Sequence, residues 1–98
     1  MIYYIERDGV PVAIHDPLEW GRWFREADRV VAKTEIGDVG VSTVFIGVDH
    51  NYTMQGPPIL YETMVFGGDH DGDCDRYATR AEALAGHAAV CAIVFVVH

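Results

Sequence analysis

Residues 41–66 read VSTVFIGVDHNYTMQGPPILYETMVF. Two apolar runs, 41–47 and 59–66, flank a loop that holds Asp49, His50, Gly56 and the stiff pair Pro57-Pro58. Short runs rich in β-branched and aromatic residues, bounded by Gly and Pro, are strands. Side chains alternate along a strand. In the first run Val41, Thr43 and Phe45 therefore share a face, opposite Ser42, Val44 and Ile46. In the second, Leu60, Glu62, Met64 and Phe66 lie opposite Tyr61, Thr63 and Val65. Both strands are apolar on both sides, and such strands are normally covered on both. If helices cover one face, the other is either wet or covered by a second copy of the chain, and the apolar residues on both sides favour the second copy, which predicts a homo-oligomer.

The flanking sequence completes the fold. MIYYIE and VPVAI surround Asp8-Gly9, a hairpin turn signal, so residues 2–14 form a hairpin. In DPLEWGRWFREAD, Asp16 caps a helix and Pro17 suits its first position. Trp20, Trp23, Phe24 and Ala27 then recur at helical spacing. RVVAKTEI alternates as a half-buried strand, with Val30, Ala32, Thr34 and Ile36 on one side. GDVG turns it back. RYA is a short edge strand. Thr79 and Glu82 form a capping box that opens a helix through the Ala-rich tail. That tail, ALAGHAAVCAIVFVVH, is apolar for only about 15 residues, short of the ~20 a membrane span needs. It reads as a buried helix, with a strand as the alternative for its end. The expectation is a single α+β domain over residues 1–98. Its two layers are an antiparallel sheet of about four or five strands, with a helix after the first hairpin and a C-terminal helix.

Composition limits function. The chain has 98 residues, half of them hydrophobic, so it can build a core. Its formal net charge of −8 opposes direct nucleic-acid binding, which needs Lys and Arg to displace counterions. Cys74 and Cys91 form no CxxC and no disulfide framework, so a reducing cytoplasm is the expectation. The N-terminus has no basic-then-apolar signal-peptide pattern.

The chemistry-bearing residues gather around the opening stretch. The loop can hold Asp49 and His50 as one wall of a pocket. Glu62, an acid within an apolar strand, must be paired, open to a cleft, or neutral. It reads as a general base, a ligand acceptor, or the ion-pair partner of Lys33 or Arg76. Thr63 adjoins it. Arg76 and Tyr77, with Lys33 and Thr34, can receive a phosphate through a bidentate fork beside an aromatic face. His87, on the last helix, is either a partner for His50 or a core histidine. His15 is local to Asp16, and His98 is terminal. The acidic run Asp69, Asp71, Asp73, Asp75 fails the calcium-loop pattern, because Gly72 is fourth and Arg80 twelfth. A His50–Glu62–His87 metal set is conceivable, but no spacing demands it, so no metal and no cofactor are expected.

Between Ser42 and His87 the chain resembles a family of small proteins encoded by bacteriophages and prophages. The pattern is an S-T-V-F strand, Gly-x-Asp-His, Gly-Pro-Pro, E-T-M-x-F-G-G and R-Y-x-T-x-x-E-A-x-x-G-H, all present here. The loop after Asp-His is richer in Gly in other members and reads NYTMQGPP here. The resemblance implies an accessory protein working in the bacterial host cytoplasm. It brings no mechanism.

These readings combine into a leading expectation and two competitors. The first is a counter-defence protein that sequesters a nucleotide-derived host immune signal, through Asp49, His50, Glu62, Thr63, Arg76, Tyr77 and His87. The second is an enzyme that degrades such a signal, phosphodiesterase- or hydrolase-like, with His50, Glu62 and His87 as catalytic residues. The third is an acidic inhibitor of a host protein, using Asp69 to Asp75 and Glu6.

Overall fold

The computed structural model describes residues 2–53 and 55–96. Among them are six strands and two helices, in a two-stranded and a four-stranded antiparallel sheet. Strand β1 (Tyr3–Arg7) pairs with β2 (Val10–Ile14). Asp8 and Gly9 both have positive φ, 51° and 77°, which is the tight turn that the Asp-Gly pair signals. Helix α1 (Pro17–Glu26) starts where Asp16 Oδ1 accepts from the Leu18 amide at 2.9 Å. Its aromatic face packs back on the hairpin and core. Trp20 stacks on Tyr3 and donates its indole N–H to the Tyr4 carbonyl, while Trp23 meets Phe45 edge-on.

The main sheet is a meander of β3 (Val30–Ile36), β4 (Val39–Phe45), β5 (Tyr61–Phe66) and β6 (Cys74–Tyr77). Helix α2 (Arg80–Val94) lies over one face of it. Thr79 caps this helix, and its hydroxyl accepts from the Glu82 amide at 3.1 Å. The tail is thus helical to Val94; His98 lies outside the described residues.

The register decides which residues face α2. Thr43 pairs with Ala32 and Thr63, and Val41 with Thr34 and Val65. These, with Phe45 and Tyr61, make the covered face, where Val41, Thr43, Phe45, Tyr61, Thr63 and Val65 are all buried. The opposite face carries Lys33, Glu35, Gly40, Ser42, Val44, Glu62, Met64, Phe66, Cys74 and Arg76. No element of the described chain lies over it.

Two details depart from simple alternation. A register shift between Val30 and Ala32 puts Val30 opposite Val44, on the open face, while Ala32 and Thr34 stay under the helix. A β-bulge does this, because one extra residue reverses the faces that follow. Leu60 precedes β5 rather than joining it. It packs with Phe45, Tyr61 and Ala83 in the core instead of siding with Glu62.

Helix and sheet meet closely because Gly86 lacks a side chain. A Cβ there would fall 2.3 Å from the Tyr77 ring. The hairpin is tied in by Glu6, which accepts from the Tyr61 hydroxyl at 2.6 Å and from Arg80 at 2.9 Å. Burial, then the hydrogen bond and charge of Glu6, push the Tyr61 phenol far up, against an opposing effect of Arg80.

Candidate functional site

The residues expected to share a site divide among three places. Thr63, Tyr77 and His87 belong to the helix-covered layer. His87 is buried at 7% exposure, and both ring nitrogens are engaged. Nδ1 lies 2.8 Å from the Thr43 hydroxyl and Nε2 2.9 Å from that of Thr34. Thr43 in turn bonds Thr63 at 2.5 Å. This chain of hydroxyls around an imidazole satisfies a buried polar cluster. Burial pushes the His87 pKa down, so the ring is neutral at pH 7. The Tyr77 ring lies on Gly86, and its buried hydroxyl has no partner among the described residues.

Asp49 and His50 belong to the loop between β4 and β5. The Asp49 carboxylate accepts the amides of Asn51 at 2.7 Å and Ile59 at 2.8 Å, so it staples the loop ends together. Asn51 continues this work by donating to the Gln55 and Pro57 carbonyls. His50 donates from Nδ1 to the Val48 carbonyl at 2.8 Å, and no hydrogen bond of its Nε2 occurs among the described residues. Its ring lies 5.9 Å from that of Tyr52.

Glu62 and Arg76 belong to the open face, paired across β5 and β6. Arg76 Nε donates to Glu62 Oε2 at 3.0 Å. No other hydrogen bond of this guanidinium occurs among the described residues, so its outer fork has no protein partner there. The Glu62 hydrogen bond is the largest of several influences that raise the Arg76 pKa, and Tyr52 is close enough to add to it. Tyr52 is 78% exposed. Burial, then the Glu62 charge, push the neighbouring Cys74 thiol up, so it is a weak nucleophile at neutral pH.

The sheet stands between Glu62 and His87, since Glu62 faces away from the Thr43–Thr63 pair that His87 joins. A catalytic set of His50, Glu62 and His87 therefore does not assemble across this fold. Among the described residues, no group of three His, Cys, Asp or Glu side chains is placed to hold a metal ion. No described helix is long and apolar enough to cross a membrane.

At the other end of the open face lies a depression of about 500 Å³. Lys33, Glu35, Gly40, Ser42 and Phe66 line it beside the β3–β4 turn. A cleft of about 220 Å³ runs between α2 and β6, with His70, Asp73 and Asp75 at its rim. Tyr52, Phe66 and Gly40 escaped the sequence reading of the site. The available signal was aromatic residues in a loop and at a strand end, without apolar partners to bury them.

No protein-family model, curated protein or solved structure matches the chain.

Proposed function

We propose that this chain is a non-catalytic binding protein whose ligand site is the helix-free face of the sheet. The ligand is a nucleotide-like small molecule. In the context implied by its resemblance to phage proteins, the chain is a counter-defence protein that sequesters a nucleotide-derived host immune signal. One observation carries the reading. Arg76 is oriented through Nε by Glu62 while its outer fork lacks a protein partner among the described residues, and the exposed Tyr52 belongs to the β4–β5 loop, at the same end of the sheet as the Val44–Glu62–Arg76 row. A fork meets phosphate oxygens and a ring stacks on a base. His50, in the same loop, adds a ring nitrogen, Nε2, as a further polar group at that end.

Assembly as a homo-oligomer belongs to the same reading. Helix α2 carries no Asp, Glu, Lys or Arg from Ala83 to Val94, and its His87 is buried and neutral. Leu84 and Ile93 stand 47% and 60% exposed on its outer side. A helix that is apolar all round is normally covered. In a chain of net charge −8, an uncharged face is also where two copies meet without repulsion.

The test is native mass measurement of protein purified from a bacterial cytoplasm, followed by denaturation and mass spectrometry of the released small molecule. Calorimetry with AMP, cyclic nucleotides and ADP-ribose accompanies it. An intact nucleotide in stoichiometric amount, with affinity falling about ten- to a hundred-fold in Arg76→Gln, is expected for loss of a charged hydrogen bond. Wild-type protein that binds none of the panel and releases nothing overturns the reading. Turnover to a product converts it to the enzyme.

A second reading has an observation of its own. Asp69, Asp71, Asp73 and Asp75 are all exposed on one stretch, which suits docking to a basic host protein. Glu6 takes no part, because Tyr61 and Arg80 occupy its carboxylate. Salt-sensitive co-purification with such a protein, without any nucleotide, would select this reading.

A further inference from the structure

The open face has two ends, and each offers a ring platform and a cation. At one end stand Tyr52 and Arg76. At the other, Phe66 is 53% exposed beside the 500 Å³ depression, and Lys33 reaches its rim. Glu35, Gly40 and Phe66 occupy one row across β3, β4 and β5, and Val44, Glu62 and Arg76 occupy another. Gly40 and Val44 are separated along β4 by about 13 Å at the strand rise. Lys33, Ser42 and Met64 fill the row between them.

We infer that the depression at Gly40 is a second ring-binding subsite, so that the face takes a ligand of two ring-bearing halves joined through phosphate: a dinucleotide. The inference rests on the reading of this face as a nucleotide site and specifies what kind of nucleotide it takes. One base stacks near Tyr52, with phosphate at Arg76. The other lies against Phe66 over the side-chain-free floor at Gly40, where Glu35 accepts from an exocyclic amino group. Lys33 and Ser42, in the middle row, meet the phosphate link. Lys33 is paired with Glu35 at 3.1 Å, but both side chains are more than half exposed, so a phosphate competes for the ammonium readily. The rows stand about 13 Å apart along the strands, and Arg76 lies two strands across from Gly40, so about 16 Å separates the two; a ligand that reaches both Arg76 and the depression is longer than a mononucleotide. Glu35 disfavours a phosphate inside the depression itself, which assigns that end to a neutral ring rather than to a second phosphate group.

The test compares AMP, a linear dinucleotide and a cyclic dinucleotide by calorimetry on wild type, Phe66→Ala, Gly40→Val and Arg76→Gln. Phe66 is half exposed, and a Cβ at Gly40 meets the Glu35 side chain at 3.5 Å and the Thr34 carbonyl at 4.0 Å, both ordinary contacts, so both variants are expected to keep the fold. Circular dichroism and thermal melting verify this. At least one dinucleotide is expected to bind ten-fold or more tighter than AMP. That advantage should vanish in Phe66→Ala and Gly40→Val, with AMP affinity unchanged. Arg76→Gln should weaken all three. AMP binding as tightly as either dinucleotide, or dinucleotide binding indifferent to both Phe66→Ala and Gly40→Val, overturns the second subsite while leaving the nucleotide reading standing. No binding of any of the three overturns the second subsite, and the nucleotide reading falls with it if ADP-ribose also fails to bind and the purified protein releases nothing.

Discussion

The two faces of one sheet show how differently the same strands can be used. Beneath α2, Val41, Thr43, Phe45, Tyr61, Thr63 and Val65 are buried, and their polar atoms are matched within the layer. On the reverse, alternate residues of the same strands leave Phe66 half exposed, Arg76 half exposed and Glu62 turned to a single partner. Every second residue serves stability, and the ones between are free to serve binding. The covered face therefore tolerates little change. The open face is expected to tolerate much, and under the proposed reading the cost falls on ligand binding rather than on the fold.

The sharpest way to break this comparison is to truncate one aromatic on each face. Phe45 is fully buried against Trp23 and Tyr61. Phe45→Ala is expected to cost about 3–5 kcal/mol, the range for a buried aromatic removed from a packed core. Phe66→Ala is expected to stay within about 0.5 kcal/mol, as surface changes do. Urea unfolding measures both. Equal effects would mean that something covers the open face in solution, and would move the oligomer interface there.

The next effect concerns the buried hydroxyls. Thr43→Val keeps the shape but removes the link between Thr63 and His87. A loss of about 1–3 kcal/mol is expected, because two buried polar groups lose a partner. A neutral result in urea unfolding would show that the neighbours re-pair without Thr43.

Much of the fold was legible in the chain, because its signals are local. Asp8-Gly9 sets a turn by backbone angle alone, and Asp16 and Thr79 cap helices within three residues. Alternation correctly placed Glu62 opposite Thr63. What it did not supply was which face the helix would take, since both were apolar. Thr63, Tyr77 and His87 were therefore grouped with Glu62 and Arg76, although alternation already separates Thr63 from Glu62. The partners of His87 are 44 and 53 residues away, so no local pattern announces them. The bulge after Val30 was equally silent. It arises from pairing with β4, not from the composition of β3.

A smaller effect separates the faces by pH. The folded pKa of His87 is lowered by burial, so the unfolded chain binds its proton more readily. The unfolded state then gains protons as pH falls through about 6.5, the ordinary histidine value. The His87 contribution to stability is intact above that pH. It erodes below it, down to the depressed folded value. Thermal melts of wild type should thus fall more steeply below about pH 6.5 than those of His87→Gln. Parallel curves would show that the ring protonates in place, with the threonine hydroxyls turning to accept.

The smallest effect on stability, and the most informative on binding, is expected from Glu62→Gln. The Arg76–Glu62 pair lies on the open face, with the Arg76 side chain 46% exposed and that of Glu62 18%. Water screens the pair from the Arg76 side and the amide can keep the hydrogen bond, so only a small fall in melting temperature is expected. The amide still accepts from Arg76 through its oxygen but no longer carries a charge. The guanidinium is then held less firmly and loses the neighbour that most strongly raises its pKa. If Glu62 acts by orienting the fork, nucleotide affinity falls several-fold. If its charge mainly repels phosphate, affinity rises instead, and more at low salt than at high. Calorimetry at two salt concentrations separates orientation from repulsion, and unchanged affinity at both would remove Glu62 from the site.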